Sequence, residues 1–297
     1  MNWDEISRAI SAATGRPYRI DSQNHVGGGC INDAMRVLGT DAIGQPQSYF
    51  IKFNQAGRLA MFEAEADGLN ELARAQAVRV PLPVCTGVTG SQAYIVMEDL
   101  PFGGGRGSMT ELAEQLAQQH RVTSNRFGWS RENTIGSTPQ PNSWTDDWVR
   151  FWQQQRFGYQ IELAGRRGWG AKALRTAQKL NERLAAFFSD YQPEASLLHG
   201  DLWSGNYAFL DNGEPVIFDP ATYYGDREAE LAMTELFGGF GREFYSAYNA
   251  NWPLEAGYPV RKTLYNSYHI LNHFNMFGGG YGAQAESMMA ACLAELG

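Results

Sequence analysis

The sequence predicts an α+β fold in two lobes: a small N-terminal antiparallel β-sheet lobe with one helix, then a larger, mainly helical C-terminal lobe. Three observations predict it. Strand-like runs separated by turn residues fill the first third of the chain, at Tyr18 to Val26, Ile31 to Leu38, Tyr49 to Phe53 and Ala93 to Met97. From Met109 onward apolar residues recur mostly at helical spacing. Val80-Pro81-Leu82-Pro83 breaks the one helix of the first third and starts another strand, and Glu98-Asp99-Leu100-Pro101 separates the strand region from the helical one. The expected division is 1–98 for a nucleotide-binding lobe and 99–297 for a catalytic and substrate lobe, with the crossing at about 98–101.

Bulk properties narrow the class. A chain of 297 residues can bury a sizeable core, and 43% hydrophobic with 19% charged residues suits a soluble globular enzyme. The net charge of -8 disfavours a nucleic-acid partner. No apolar run approaches the roughly 20 residues that span a membrane. The N-terminal MNWDEISRAI has neither the basic nor the apolar region of a secretory signal. Cys30, Cys85 and Cys292 form neither a disulfide framework nor a zinc set, which fits a reducing cytoplasm.

Taken in order, Trp3, Ile6 and Ile10 fall on one helical face that Gly15 can end. Gly27-Gly28-Gly29 then separates two strands. Glycines there let a backbone approach a phosphate with its N–H groups inward, or simply make a flexible turn. No G-K-[ST] follows, so this is not a Walker A loop. The next strand, Tyr49 to Phe53, carries Lys52 among apolar neighbours. An ammonium there needs a partner or a face open to a site, unless it is a solvated edge position. On the helix expected over Arg58 to Ala75, Glu65 precedes Leu69 and Leu72 on the inward face and is the favoured partner; Glu63 is the alternative. A strand lysine paired with a helix glutamate positions nucleotide phosphates in phosphoryl-transfer enzymes. At the crossing, the Glu98 carbonyl and the Leu100 N–H can pair with an adenine edge, with Met97 behind it; the alternative is a strand leaving a sheet into a turn.

In the second lobe, Met109, Leu112, Leu116 and His120 mark a helix, on which His120 is expected to pack rather than catalyse. Ser124 to Trp144 has little periodicity, and long loops of this kind are often functional. Its Trp129, Asn133, Gln140 and Trp144 either line a polar substrate pocket or pack the loop. Helices are expected over Asp146 to Ala164, Lys172 to Tyr191, Pro259 to Phe277 and Gln284 to Leu296, with Gly278-Gly279-Gly280 as a hinge or turn. A further helix carries Leu231, Leu236 and Phe237 behind an Asp226 cap.

The chemistry concentrates in LLHGDLWSGNYAFLDNGEPVIFD, Leu197 to Asp219. His199, Asp201 and Asn206 stand in the pattern H-x-D-x-x-x-x-N, a hairpin turn follows at Asp211-Asn212-Gly213, and Asp219 closes the run. This is a phosphoryl-transfer constellation. An alcohol is a poor nucleophile at neutral pH, and Asp201 is placed to take its proton as the P–O bond forms. The Asn206 amide oxygen and the Asp219 carboxylate suit a hard cation, Mg²⁺, bridging the phosphate oxygens of ATP. Lys52, held by Glu65, would grip the α/β-phosphates, and His199 would brace the loop. The bland reading of the four loop residues is a polar turn before a hairpin; their joint spacing downstream of Lys52 and Glu65 argues against it.

The chain resembles the fructosamine kinase (ketosamine-3-kinase) family, a branch of the protein-kinase-like fold related to aminoglycoside and choline kinases. The matching stretches are Gly27-Gly28-Gly29-Cys30-Ile31, Met61-Phe62-Glu63-Ala64-Glu65 and Ile135-Gly136-Ser137-Thr138-Pro139-Gln140-Pro141-Asn142. They continue through Asp146-Asp147-Trp148, His199 to Asn206, Asp219-Pro220-Ala221, Tyr224-Gly225-Asp226 and Phe237-Gly238-Gly239-Phe240. H-x-D-x-x-x-x-N belongs to the wider superfamily; HGDLWSGN with DPA, YYGDRE and FGGF is specific to this branch. The resemblance implies ATP- and Mg²⁺-dependent phosphorylation of the 3-hydroxyl of a ketosamine, free or on a glycated protein, giving a less stable adduct and so reversing glycation. Pro220-Ala221 stands where protein kinases have Phe-Gly, and no activation loop of their type follows Asp219.

Other readings remain beside this one. The same fold could serve another hydroxylated amine, such as an aminoglycoside, choline or homoserine, or a catalytically inactive nucleotide-binding scaffold. Intact Lys52, Asp201, Asn206 and Asp219 oppose the last. Trp203, Asp226 and Trp144 are the candidate substrate contacts; the Trp203 ring faces either a sugar or the core. Cys30, in the glycine turn, is a candidate for oxidation. No membrane partner is expected, and the assembly is a monomer or a homodimer.

Overall fold

The computed structural model describes residues 1–27, 31–102 and 106–297. The chain folds as two compact units, Met1–Ser108 with Ala208–Asp219, and Met109–Tyr207 with Pro220–Gly297.

The first unit opens with α1 (Trp3–Thr14), capped by the Asn2 side chain and ended at Gly15, whose φ of 68° is left-handed. Strands β1 (Tyr18–Val26), β2 (Asp33–Asp41) and β3 (Pro46–Gln55) follow. After a 3-10 turn come α2 (Leu59–Arg74), β4 (Pro83–Thr89) and β5 (Gln92–Glu98). The five strands make one antiparallel sheet in the order β1-β2-β3-β5-β4. Side-chain alternation gives the central strands two apolar faces. Ile51, Phe53, Tyr94 and Val96 pack with Ile6 and Ile10 of α1. Phe50, Ile95 and Met97 pack with Phe62 of α2. Lys52, between Ile51 and Phe53, therefore falls on the α2 face.

The second unit contains α3 (Met109–His120), β6 (Thr123–Ser124), the hairpin β7 (Asn133–Ile135) and β8 (Thr138–Gln140), and α4 (Trp148–Phe151). It continues through α5 (Gly158–Arg166), α6 (Ala171–Glu182) and β9 (Ala195–Leu198). The hairpin β10 (Tyr207–Phe209) and β11 (Pro215–Ile217) falls, apart from Tyr207, in the first unit. Then come β12 (Tyr223–Gly225), α7 (Arg227–Leu236), α8 (Arg242–Asn251), α9 (Tyr258–Phe277) and α10 (Tyr281–Glu295). Strands β12, β9 and β6 form a small antiparallel sheet in that order. The core around it is aromatic, with Trp148, Phe151, Trp152, Phe157, Tyr265 and Tyr268 all buried.

Three features differ from the sequence expectation. The first unit runs past the expected crossing at 98–101, because the β10–β11 hairpin pins that segment. Asp211 N donates to the Pro101 carbonyl at 3.1 Å, and Leu100, Leu210 and Val216 share one apolar cluster with Phe218. The helix expected over Asp146 to Ala164 is interrupted by a π-helical turn, Trp152–Phe157. Gly158 allows it: a Cβ there would lie 2.0 Å from the Gln153 carbonyl oxygen that accepts the Gly158 N–H. The turn buries Arg156 completely. Helix α8, with Phe244 and Tyr248 buried four residues apart, was not expected at all.

The long loop Ser124 to Trp144 is a packed network. Arg156 donates to the Pro141 carbonyl at 2.5 Å and to Asn142 Oδ1 at 2.7 Å, with its guanidinium 4.0 Å from the Tyr223 ring centroid. Asn133 Nδ2 donates to the Thr222 carbonyl at 2.8 Å, and Gln140 Nε2 to the Ala221 carbonyl at 3.0 Å. Trp129, Asn133 and Gln140 are buried, so of the two readings of these residues the structure takes loop packing. Trp144 is half-buried against the Tyr224 ring. Among the described residues no helix is long and apolar enough to cross a membrane.

Helix α9 buries His269, whose imidazole is pushed from 6.5 to about 3, first by burial and then by His273 and Arg156. The folded state thus keeps His269 neutral where the unfolded chain would protonate it. That preference is fully stabilising above about 6.5 and is lost as pH falls toward about 3. The unfolding midpoint should decline over this window, and less steeply in His269→Gln. Urea unfolding at a series of pH values checks this; an unchanged slope in the variant would assign the acid sensitivity elsewhere.

Candidate functional site

In the first unit the site is an ion cluster around a buried ammonium. Lys52, on β3, is 7% exposed. Its Nζ donates to Glu65 Oε1 at 2.6 Å and also to Asp219 Oδ1. Burial alone would push the Lys52 ammonium down, but Asp219 and Glu65 beside it outweigh burial and hold it up. Burial raises the Glu65 carboxyl, Lys52 opposes, and the Asp219 charge adds to the rise. The structure decides between the two candidate partners, because Glu65 lies three residues after Phe62 and four before Leu69, on the buried face of α2. Asp219 holds a left-handed backbone, φ 60°, which is uncommon outside glycine.

Around the expected adenine contacts, Met97 and Leu100 are buried. The Glu98 carboxylate is clasped by Arg79 Nη2 at 2.5 Å, and Arg36 Nε donates to Asp99 at 2.9 Å. These carboxylates are committed within the unit, which leaves any nucleotide role at Glu98 to its main chain. Of the glycine turn, Gly27 is exposed. Gly28, Gly29 and the candidate redox thiol Cys30 lie outside the described residues.

In the second unit the loop after β9 is held by backbone bonds. The His199 carbonyl accepts the Ala221 N–H at 2.8 Å, and His199 Nδ1 accepts the Asp201 N–H at 3.3 Å. The imidazole of His199 is fully buried. Gly200 has φ 86°, and a Cβ there would lie 2.1 Å from the Ala221 carbonyl oxygen, so the turn admits only glycine. Asn206 Nδ2 donates to the Asp201 carbonyl at 2.8 Å. Asp201 itself is half-buried. The Trp203 ring, 37% exposed, meets the Phe237 ring edge-on at 6.1 Å. It also covers Gly205, where a Cβ would approach it to 2.4 Å. Trp203 therefore packs the loop with part of its ring while exposing the remainder.

Asp226, expected among the substrate contacts, is fully buried. Its Oδ1 accepts the Tyr191 hydroxyl at 2.8 Å and the Glu228 N–H at 2.9 Å, and its Oδ2 accepts the Tyr265 hydroxyl. It caps α7 and ties two tyrosines together, which leaves no face for a substrate. Burial pushes its carboxyl up against the opposing pull of these donors. One residue that sequence reasoning passed over, Glu230, bears on the loop: it accepts the His199 and Gly200 N–H groups at 3.1 Å and 2.6 Å, and His120, expected to pack, is buried and contacts Glu230 at 2.9 Å. The available signal was the acidic run Asp226, Glu228, Glu230, whose spacing of two spreads it around the helix rather than along one solvated face.

The chain matches the fructosamine kinase family over residues 2–295. It is 49% identical to a probable ketoamine kinase of Synechocystis sp., over 98% of this chain and 97% of that protein. It is 45% identical to a chloroplastic protein-ribulosamine 3-kinase of Arabidopsis thaliana, over 97% and 87%. The crystal structure of a putative fructosamine-3-kinase from Haemophilus somnus superposes with a TM-score of 0.87 at 30% identity, covering 98% of this chain and 97% of that one. A solved aminoglycoside phosphotransferase shares the fold alone, with a TM-score of 0.56 at 16% identity over 97% and 98%. The antiparallel sheet unit and the helical unit are thus the α+β, protein-kinase-like architecture, and the chain belongs to the fructosamine kinase family.

Proposed function

We propose that this protein is an ATP-dependent kinase that phosphorylates the 3-hydroxyl of ketosamines of the fructosamine and ribulosamine type. The observation that carries the reading is the buried Lys52 ammonium held between Glu65 and Asp219. A pre-set cation of this kind suits the α/β-phosphates of a nucleotide. Asp201 accepts the proton of the sugar hydroxyl as its oxygen attacks the γ-phosphorus. The bond from that phosphorus to the bridging oxygen breaks, and ADP leaves.

Mg²⁺ fits the donor set. Among the described residues no cluster of three or more His, Cys, Asp or Glu could hold a metal by itself. Mg²⁺ needs no such cage, since it takes one or two protein oxygens and completes its shell with phosphate and water. Asn206 uses its Nδ2 for the bond to the Asp201 carbonyl, and its amide oxygen is the atom of the pair that can serve a hard cation. The Asp219 side chain is 48% exposed, and its bond to Lys52 uses only Oδ1. Held by Asn206 and Asp219, Mg²⁺ would supply positive charge that offsets the charge of the phosphate groups. Amine-bearing sugars as acceptors are supported by the names of the relatives, a ketoamine kinase and a protein-ribulosamine 3-kinase. The two described thiols, Cys85 and Cys292, are free.

Two experiments test this reading. The purified protein with ATP and Mg²⁺ should consume ATP with ribulose- or fructose-derived lysine adducts and not with an aminoglycoside or choline. NMR of the product should place the phosphate on the 3-oxygen. Turnover of the aminoglycoside instead would overturn the substrate class. Asp201→Ala should lower kcat roughly 10²- to 10⁴-fold while leaving ATP affinity unchanged; near-normal turnover would remove Asp201 from the mechanism. In parallel, Trp203→Ala should raise KM for the ketosamine several-fold with KM for ATP unchanged. A loss confined to thermal stability would make Trp203 a packing residue only.

A further inference from the structure

We infer that His120 is a positioning residue for phosphoryl transfer, acting through Glu230 on the backbone that carries Asp201. The inference rests on the kinase reading above for its kinetic part. It begins from an unusual convergence of donors. The Glu230 carboxylate, 3% exposed on α7, accepts two consecutive main-chain N–H groups: His199 N to Oε1 at 3.1 Å and Gly200 N to Oε2 at 2.6 Å. The next residue is Asp201. A side chain that takes both amides fixes two consecutive peptide planes immediately before the residue that carries the proposed base.

Glu230 is itself held. His120, fully buried at the end of α3, brings Nε2 to 2.9 Å from Glu230 Oε1 and Nδ1 to 2.7 Å from the Tyr248 hydroxyl. Arg227 Nη1 lies 3.4 Å from that same hydroxyl, and Arg227 is anchored by the Trp252 and Pro253 carbonyls at 3.0 Å and 2.6 Å. A carboxylate only accepts and a guanidinium only donates, so His120 Nε2–H donates to Glu230 and the Tyr248 oxygen accepts from Arg227. The chain of contacts runs from Arg227 through Tyr248 and His120 to Glu230, drawing α3, α7 and α8 onto one point of the loop.

The electrostatics agree with the geometry. Burial would raise the Glu230 carboxyl, yet the His120 bond, the nearby His199 and the Gly200 N–H hold it below the ordinary range, so it stays an acceptor. A core needing only volume at this place would be served better by apolar side chains, because buried polar groups cost stability unless every one is matched. What the polar chain adds is a fixed position for the residues before Asp201. Misplacement of a reacting group by about 1 Å costs about 10² in rate.

The test uses the full chain with His120→Phe, which keeps an aromatic ring and removes both hydrogen bonds, and His120→Gln, whose amide can donate to Glu230 and accept from Tyr248. We expect kcat in His120→Phe to fall about 10- to 100-fold with KM for ATP and for the ketosamine within about twofold. His120→Gln should recover most of the loss. Amide hydrogen exchange across Leu198 to Asp201, measured without substrate, should quicken in His120→Phe and return in His120→Gln. That second readout does not depend on the acceptor: if wild type turns over no ketosamine but exchange responds as described, the positioning role stands and the substrate reading falls. Unchanged exchange, or an equal loss of kcat in both variants, overturns the inference. Should His120→Phe fail to fold, Tyr248→Phe removes the upstream contact alone, and it too must quicken exchange and lower kcat, with no change in either counting against the role.

Discussion

A buried ammonium with two carboxylates is the constraint on which the first unit depends. Lys52 lies on a central strand, and a charge in that setting is costly unless it is paired. Removing one partner of a buried ion pair typically costs about 3–5 kcal/mol, whereas replacing the whole pair by apolar groups is often neutral or favourable. Stability alone therefore gives little reason to keep Lys52, Glu65 and Asp219. The left-handed Asp219 backbone adds to this, since strain at a non-glycine residue persists where the surroundings over-determine it. The β10–β11 hairpin supplies that over-determination. Ile217 N donates to the Arg79 carbonyl at 2.9 Å, and the Phe218 and Phe102 rings meet at 5.5 Å. Sheet, helix α2 and hairpin all converge on the one cation.

The second unit solves a different problem by different means. Its loop carries Asp201 and Asn206, the residues proposed for proton transfer and metal binding. The bonds given above for the loop run through main-chain groups, the His199 carbonyl and the His199, Gly200 and Asp201 N–H groups, with the Asn206 amide closing back on the Asp201 carbonyl. Position in this loop is set largely at the backbone.

Much of this was legible in the sequence. Lys52 in an apolar strand, the glutamate on the following helix, and the spacing from His199 to Asn206 are local or near-local patterns, and the structure places Lys52, Glu65 and Asp219 in one cluster. Helices with strong stripes, such as α3 and α9, lie where periodicity puts them. What stayed hidden depends on long-range partners. The π-turn follows from a tight approach at Gly158 and from the burial of Arg156 against Tyr223 and Asn142, residues far apart in the chain. The loop Ser124 to Trp144 lacks periodicity because its order comes from side-chain amides bonded to the Ala221 and Thr222 carbonyls. The hairpin's claim on the segment after Glu98 is likewise a tertiary pairing that no local pattern announces.

The acidic run on α7 shows why residue type alone misassigns a site. Asp226, Glu228 and Glu230 stand two apart, and all three are buried. Of the three, Asp226 is the one the sequence offered as a substrate contact. In the fold each carboxylate meets its own set of donors. Asp226 takes two tyrosine hydroxyls and the helix N-terminus, Glu228 a two-pronged Arg261 at 2.6 Å and 3.0 Å, and Glu230 an imidazole with two amides. Their environments also push them apart. Burial, against Arg261 and with Asp226, brings Glu228 up to about 7, while Glu230 is held low. Three acidic groups so close can coexist in the core only when each is separately matched by its own donors, and that matching, not their spacing in the chain, sets what each of them does.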